Sequence, residues 1–396
     1  MLIRFTVENF LSFKERVEFS MIPAKKQQLN DHIIKDEDIN VLKTAVIYGA
    51  NAAGKSNLIK AMSFAKQLIV KGTAPNKFIP IKPFKLDKTS LNKPSRFEFE
   101  FKHGGKNYAY GFVLNNKWIL EEWLYEINQV DEQAIFERQT LSEEQIIITP
   151  GNKLEFLNEE QKGIFKYTGN ISTRANQLFL TEVSKINTKK IKIPALLDAY
   201  QWFNQVLTII FPDNLSFEIN SEHIIHNNLL NLLQVFDTGI LGIKTIEVDF
   251  ENEVKDLTQE NKDKIILNLE ENESRLIHAN NNRQYVIFRK DNQIKAFKLM
   301  TEHSTQDGLK ALFEISEESE GTQRIIDLIP TFIILLESEK VIVIDELERS
   351  LHPRLTTTLL ELFLTYSKKV KSQLIFSTHE SELLNSDNLR SDVVGL

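Results

Sequence analysis

The hydrophobic and polar positions near the N-terminus predict two strands, followed by a strand, a loop and a helix. Residues 2–7 alternate between apolar and polar side chains as a half-buried strand does, and a second strand is predicted at 16–21. The apolar run 43–48 predicts a buried strand. It leads through a glycine-containing loop into apolar residues at helical spacing over 57–70.

The period of the pattern changes to two after Pro94, which predicts an antiparallel meander. Turn-forming residues separate strands that are predicted at 96–101, 107–114, 118–127 and 134–139. The segments QIIIT and KLEFL, on either side of PGN, predict a further turn at the end of this meander.

The middle of the chain has a mixed pattern. Residues from about 160 to 235 are predicted to be mostly helical, with one helix over 196–210. Strand-like pieces return between 243 and 300, around the charged segment 251–273. This segment is predicted to be a solvated helix or loop, because it is too short for a long coiled-coil arm.

The last hundred residues return to a regular alternation of elements. An apolar helix over 322–337 is predicted to be interrupted at Pro330, and a buried strand over 341–346 ends in two acids. A helix over 353–367 and another buried strand over 373–379 follow. Strand–helix–strand order of this kind implies parallel pairing and an α/β core.

Composition and charge narrow the class of protein. The 396 residues are 42% hydrophobic with a net charge of −7, which is typical of a soluble globular chain and does not favour nucleic-acid binding over the whole surface. The absence of cysteine excludes a disulfide framework and a thiolate metal site. The chain lacks a long apolar run and a signal-peptide pattern, so we expect a cytoplasmic location and no membrane partner.

The sequence GANAAGKS at 49–56, hereafter the P-loop, has the pattern of a phosphate-binding loop. Glycine lets backbone N–H groups turn toward a phosphate, and the N-terminus of the next helix favours an anion. Lys55 is predicted to reach the β- and γ-phosphates of ATP, and Ser56 to hold Mg²⁺. The residues predicted to bind the nucleotide are Gly49, Ala50, Asn51, Ala52, Ala53, Gly54, Lys55, Ser56 and Asn57.

Two acids and a histidine end the two buried strands of the C-terminal region. Asp345 is predicted to be a ligand of Mg²⁺, directly or through water, and Glu346 to polarise the attacking water. His379 ends the other strand, where a histidine can hydrogen-bond the γ-phosphate. Lys55, Glu346 and His379 are therefore the predicted catalytic residues, with ATP and Mg²⁺ as cofactors.

In order and spacing, these motifs resemble those of the ATP-binding-cassette ATPases of the SMC/RecF/OLD group. The P-loop resembles the Walker A motif of that group, 341–346 its Walker B motif, 350–353 its D-loop and His379 its switch histidine. The opening segment FTVENFLSFK resembles the adenine-side loop, which implies nucleotide contacts from Ser12 and Lys14.

The sequence SEGTQ at 319–323 resembles the signature motif of the group, whose usual form is LSGGQ or LSGGE. The resemblance implies that Ser319 and Gly321 cap the γ-phosphate on the P-loop of a second subunit, in a homodimer or higher homo-oligomer. A serine at a helix N-terminus favours an anion in the same way. A simple helix N-cap is the alternative reading of this motif.

The resemblance implies an α/β fold class: a P-loop NTPase of ABC or SMC-head type with an antiparallel β meander and an inserted, mainly helical region. The N-terminal half of the ATPase core is expected at 1–94 and the meander at 95–158. An inserted helical and mixed region that offers an oligomerisation or partner surface is expected at 159–310, and the C-terminal half of the core at 311–396.

The stretches ESEGTQR, IDELERSLHP and STHESELL resemble, more narrowly, the OLD-like ATPases of bacterial anti-phage and abortive-infection systems, including the ATPase subunit of the PARIS system. Such ATPases commonly act with a separately encoded nuclease or toxin. The resemblance implies a slow, oligomerisation-dependent ATPase that serves as sensor or scaffold for such an effector, with DNA or a phage protein as its trigger.

Some features depart from the pattern of the group. Glu320 replaces the first signature glycine, and no glutamine lies between Gln67 and Gln129 to serve as the Q-loop residue. No Toprim-like acid cluster follows the core, so no nuclease activity is assigned to this chain. Residues 391–396 predict the start of another strand, which leaves open whether a terminal strand is missing or a partner supplies it.

Two other classes of function remain open at this point. A RecF-like DNA-binding repair ATPase is the main alternative, but the acidic net charge argues against it and the lysine-rich segment 185–192 supports it weakly. A kinase or GTPase that shares only the P-loop is the other. The guanine-reading motif of a GTPase matches this sequence only in part, at 261–263, far from the core motifs.

Overall fold

The structure is a computed structural model that describes most of the chain. The described residues are 1–24, 32–50, 52–128, 131–152, 154, 158–186, 193–212, 233, 236, 238–254, 258–267, 269, 274–278, 284–291, 293–381, 383 and 394–395. The described strands are β1 (Leu2–Glu8), β2 (Val17–Ser20), β3 (Ile33–Ile34), β4 (Val41–Leu42), β5 (Thr44–Tyr48), β6 (Ser95–His103), β7 (Lys106–Leu114), β8 (Ile119–Ile127), β9 (Glu132–Thr140), β10 (Ile146–Pro150), β11 (Leu207–Ile210), β12 (Gly242–Val248), β13 (Ser274–His278), β14 (Gln284–Lys290), β15 (Gln293–Ser304), β16 (Lys310–Glu314), β17 (Val341–Ile344), β18 (Gln373–Thr378) and β19 (Val394–Gly395).

Two of the described α-helices matter most for function. The P-loop helix is Lys55–Lys71, and the signature helix is Glu320–Glu337. The other described α-helices are Glu159–Tyr167, Phe179–Ser184, Pro194–Gln201, Phe250–Glu253, Gln259–Leu267 and Pro353–Tyr366. None of these described helices is long and apolar enough to cross a membrane.

A seven-stranded antiparallel sheet contains the predicted meander. Its strand order is β10-β9-β8-β7-β6-β1-β2, so the meander continues directly into the first two strands of the chain. The four central strands predicted from the period of two are confirmed, as is the strand after Leu141. Most of the predicted strand KLEFL lies outside the described residues.

A five-stranded parallel sheet forms the α/β core. Its order is β11-β17-β18-β5-β19, and every neighbouring pair is parallel. The short strand β19 pairs with β5 and confirms the strand start that was predicted at the end of the chain. Together with the antiparallel sheet, this arrangement confirms the predicted α/β class.

The inner strand β17 of the parallel sheet is apolar at every position and is buried on both faces. Val341 and Val343 belong to one buried cluster, together with residues of the P-loop helix and the antiparallel sheet. Ile342 and Ile344 point the opposite way, into a cluster with the signature helix and helix Pro353–Tyr366. A strand that is buried on both faces has a continuous apolar sequence, and this pattern led to the prediction of a buried strand here.

A third, antiparallel sheet is built from residues between the two halves of the core. Its order is β12-β15-β14-β13, and β16 pairs with the end of β15. This sheet shares buried residues with the cluster under the signature helix, among them Val286 and Leu299. The inserted region therefore packs against the element that carries the signature motif.

Two predictions about local structure are wrong. Residues 207–210 were expected to end a helix, but they form β11, which pairs with β17 at the edge of the parallel sheet. The α-helix ends at Gln201 and a π-helical turn, Trp202–Val206, follows it. The β-branched residues Thr208, Ile209 and Ile210 then favour an extended strand. The signature helix, in turn, is not interrupted but continues through Pro330.

Candidate functional site

The parallel sheet brings three segments of the chain to one edge. Strand β18 lies between β5 and β17 and is parallel to both, so the residues that follow these strands meet at a common edge. The P-loop follows β5, Asp345 and Glu346 follow β17, and His379 follows β18. The predicted position of His379 beside the acidic strand end is confirmed by this pairing.

The backbone of the P-loop turns through two left-handed residues before the helix begins. Ala52 has a φ of 66° and Gly54 a φ of 107°. Among the described residues, no side chain caps the helix N-terminus and its first turn holds no acid, so its N–H groups can bind an anion. Asn51 lies outside the described residues. The described loop positions are Gly49, Ala50, Ala52, Ala53, Gly54, Lys55 and Ser56, and Asn57 follows in the helix.

Ser12 packs against the P-loop, and Lys14 forms an ion pair with Asp87. A Cβ atom on Gly54 would lie 3.0 Å from Ser12 Oγ, so this close approach and the positive φ both favour glycine. Lys14 forms an ion pair with Asp87 at 2.9 Å, and the hydrogen bond to Asp87 raises the pKa of Lys14. That a nucleotide contacts Ser12 or Lys14 stays a prediction.

The three residues predicted to be catalytic form a line across the sheet edge. Lys55 Nζ donates to the carbonyl oxygens of Gly49 at 2.7 Å and Ala50 at 3.1 Å, and it lies 3.2 Å from His379 Nδ1. The other ring nitrogen of His379, Nε2, is 4.0 Å from Glu346 Oε1. A phosphate bound at Lys55 would therefore lie beside His379, with the carboxylate of Glu346 on the far side of the ring.

Asp345 accepts two hydrogen bonds that fix its carboxylate. Ser56 Oγ donates to Asp345 Oδ1 at 3.1 Å, and Ser377 Oγ donates to the same oxygen at 2.6 Å. Ser377 Oγ also accepts from the backbone N–H of Glu346 at 2.8 Å. One serine of β18 thus positions both acids that follow β17.

Ser56 and Asp345 have the ligand chemistry that Mg²⁺ prefers. Both offer oxygen, and their separation of 3.1 Å matches that of neighbouring ligands around an octahedral ion, roughly 3 Å for metal–oxygen bonds near 2.1 Å. Among the described residues there is no group of three or more His, Cys, Asp or Glu side chains that could hold a metal. The remaining ligands would then be water and phosphate oxygens, as is usual for this ion.

The signature motif lies at the start of the signature helix. Ser319 is the N-cap, and its Oγ accepts from the backbone N–H of Thr322 at 3.1 Å. A Cβ atom on Gly321 would lie 3.2 Å from the carbonyl oxygen of Ser350, so the first turn of the helix lies against the predicted D-loop. Ser319 is exposed, and in the described part of the chain it makes no hydrogen bond or ion pair with the P-loop.

Glu318, the residue before the signature serine, is held by the third sheet. His303 Nε2 lies 2.6 Å from Glu318 Oε1, and Thr301 Oγ1 donates to the same oxygen. Both residues belong to β15. This link between the inserted region and the signature motif was not predicted, because 15 or more residues separate the partners along the chain.

Three residues of the site were missed by the sequence analysis. Ser377 holds Asp345 and the backbone N–H of Glu346, at the start of the segment 345–350, hereafter the acidic loop. Glu348 of this loop accepts from the backbone N–H of His379, and Arg324 is buried in the signature helix near the loop. The available signals were a polar residue inside the apolar run of β18 and an arginine on the apolar face of the signature helix. Neither signal identifies a partner without the strand pairing.

Two solved structures of low sequence identity match this chain. The SMC head domain from Thermotoga maritima is 12% identical with a TM-score of 0.37, over 97% of this chain and 90% of that chain. An SMC head bound to the C-terminal winged-helix domain of ScpA is 12% identical with a TM-score of 0.41, over 99% of this chain and 95% of that chain. No curated protein matches the chain.

The comparison with family models is more informative. Residues 45–385 match the model described as "AAA domain, putative AbiEii toxin, Type IV TA system". This range runs from β5, before the P-loop, to beyond His379, and so spans all three strands that lead to the site. The match covers most of the chain, and the chain therefore belongs to this family of AAA-type ATPases.

Proposed function

We propose that the chain binds and hydrolyses ATP with Mg²⁺, in a site that the signature motif of a second copy completes. The observation that carries this proposal is the meeting of Lys55, His379 and Glu346 at one sheet edge, beside the Ser56–Asp345 hydrogen bond. These are the groups that phosphoryl transfer from ATP to water requires.

The hydrolytic step follows from the positions of these groups. Lys55 exchanges its carbonyl partners for the β- and γ-phosphate oxygens, and His379 hydrogen-bonds the γ-phosphate. Glu346 accepts a proton from water as the water oxygen bonds to the γ-phosphorus and the bond to the β,γ-bridging oxygen breaks, which releases ADP and phosphate. Mg²⁺, held by Ser56 and Asp345, would neutralise charge on the phosphates.

The exposed signature serine supports a shared site. Ser319 is the N-cap of the signature helix and is exposed to solvent. Among the described residues, it makes no hydrogen bond or ion pair with the P-loop of its own chain. A second copy can present this N-terminus to the γ-phosphate, where the helix dipole and the hydroxyl favour an anion. Turnover would then be slow in isolated subunits and faster in the assembly.

The cellular role that we propose is that of sensor or scaffold in a bacterial anti-phage defence or toxin–antitoxin-like system. The name of the family refers to an AbiEii toxin and a type IV toxin–antitoxin system, and the sequence motifs resemble those of OLD-like defence ATPases. ATP-dependent assembly would control a separately encoded nuclease or toxin, with DNA or a phage protein as the trigger.

Substitution of Lys55 tests the ATPase proposal. Lys55→Ala removes the amine that would bind the phosphates, so we expect ATP affinity and turnover to fall by about 100-fold or more. Lys60→Ala is the matched control, because Lys60 is an exposed lysine on the same helix. Titration with a fluorescent ATP analogue and release of phosphate measure both effects. Equal ATP affinity in Lys55→Ala and wild type would contradict the P-loop assignment.

A further inference from the structure

Arg324 is a buried cation in the signature helix, and two of its three guanidinium nitrogens lack a hydrogen-bond partner among the described residues. Its side chain is 5% exposed. Within the described residues, its Nε and Nη2 atoms are buried without a hydrogen-bond partner. Buried guanidinium groups are normally paired and hydrogen-bonded, so an arginine in this condition points to an arrangement that another state of the protein completes.

The charged groups around Arg324 lie on its own helix and on the acidic loop. Burial lowers the pKa of Arg324, Asp327 of the same helix raises it and Arg349 of the loop lowers it. The loop carboxylates of Glu346 and Glu348 raise it as well. Gly321, three residues earlier on the same helix face, lies against the carbonyl oxygen of Ser350. The helix thus faces the segment 346–350 with a glycine at its first turn and an arginine at the next.

Glu348 offers the complementary unsatisfied group. Its Oε1 accepts from the backbone N–H of His379 at 2.6 Å, whereas its Oε2 is buried without a partner among the described residues. The segment that carries it is also held in an uncommon backbone conformation. Glu346 has a φ of 51° and Ser350 a φ of 62°, which non-glycine residues rarely adopt and which cluster at switch regions.

We propose that Arg324 forms an ion pair with Glu348 when the signature helix docks on the nucleotide of a second copy, and that this pair is open in the present structure. The inference rests on the proposed function. Docking shifts the helix and brings the guanidinium to Oε2, and Glu348 transmits the shift to His379 through the backbone hydrogen bond. Arg324 and Glu348 are then positioning residues that couple assembly to the γ-phosphate site.

A double-mutant cycle tests this pair. Arg324→Met and Glu348→Gln keep the size of the side chain and remove its charge, so each should lower ATP turnover by about 10-fold, and the double variant should be no slower than the slower single variant. Affinity of isolated subunits for the ATP analogue should stay within about 2-fold of wild type, because the P-loop is untouched. Arg324→Lys, which keeps the charge, should retain intermediate turnover.

A matched cycle controls for loss of charge in general. Arg16 and Glu98 form an ion pair at 3.4 Å on the antiparallel sheet, with Arg16 exposed, and Arg16→Met with Glu98→Gln should leave turnover unchanged. If the losses of turnover in the two single variants add up in the double variant, or if turnover falls only in step with the melting temperature, Arg324 and Glu348 do not form the proposed pair. Either result would leave the proposed ATPase function standing. Absence of ATP binding in the wild-type chain would overturn the proposed function, and the pair with it.

Discussion

At the scale of single residues, one histidine lies between Lys55, the predicted phosphate-binding residue, and Glu346, the predicted general base. His379 lies 3.2 Å from Lys55 Nζ and 4.0 Å from a carboxylate oxygen of Glu346, and its own backbone N–H is held by Glu348. In the proposed mechanism, a change of charge at the γ-phosphate would reach Glu346 through the imidazole ring of His379 and Glu348 through the backbone N–H of His379. Geometry of this kind suits a residue that distinguishes ATP from ADP.

Substitution of Glu346 separates binding from chemistry. Glu346→Gln keeps the shape of the side chain and removes the proton acceptor, so ATP should bind while turnover falls by about 100-fold or more. The variant should also accumulate the ATP-bound assembly, which mass measurement in the presence of ATP detects. Turnover near the wild-type rate would mean that another residue activates the water.

The residues that follow a recognisable motif could be predicted from the sequence, and those that depend on strand pairing could not. Lys55, Asp345 and His379 end or follow apolar runs, and the pattern alone places such residues at a strand edge. Ser377 positions both acids only because β18 lies beside β17, and that neighbourhood is a property of the sheet. The ion pair of Lys14 with Asp87 could not be predicted either, because it depends on how the loop that carries Lys14 packs in the fold.

At the scale of elements, the signature helix links the inserted region to the acidic loop. Glu318 before it contacts His303 and Thr301 of the third sheet, and Asp327 within it accepts a hydrogen bond from Gln284 of β14. The sequence predicted the existence of this helix, because its apolar face repeats at helical spacing, but not its continuation through Pro330. It did not predict β11, because four apolar residues fit the end of a helix and a short buried strand equally well.

The partly buried Asp327 makes the stability of this element depend on pH. Burial raises the pKa of Asp327 from 3.8 to about 7, against the opposing effect of Arg324. Between pH 4 and 7 the folded chain keeps a proton on this carboxyl that the unfolded chain has lost, so this group lowers the free energy of unfolding as the pH rises, up to about pH 7.

Asp327→Asn removes this titration and keeps the size of the side chain. As the pH rises from 5 to 8, the free energy of unfolding of the variant should increase relative to that of the wild type, by on the order of 3 kcal/mol at most. Urea unfolding of both proteins at the two pH values measures the difference. A difference in stability that is the same at pH 5 and pH 8 would show that Asp327 does not titrate in this range in the folded chain.

At the scale of the whole molecule, the chain carries both halves of the proposed site at separate places. The P-loop and the acids meet at the edge of the parallel sheet, while Ser319 is exposed at the start of another element. The two helices lie on opposite faces of the parallel sheet, which explains this separation. The signature helix packs in the buried cluster on one face, and the P-loop helix packs in the cluster on the other. Under the proposed function, a second copy would bring its signature to this P-loop.

Mixing two inactive variants tests this shared site most directly. Lys55→Ala subunits keep an intact signature, and Ser319→Arg subunits keep an intact P-loop but place a bulky cation where a small donor is required. Each variant alone should lack turnover, and the isolated Ser319→Arg subunit should still bind ATP. In a mixed dimer, one P-loop faces one intact signature, so phosphate release should return in part. If the two variants are folded and co-assemble but the mixture stays inactive, the site is not shared between two copies.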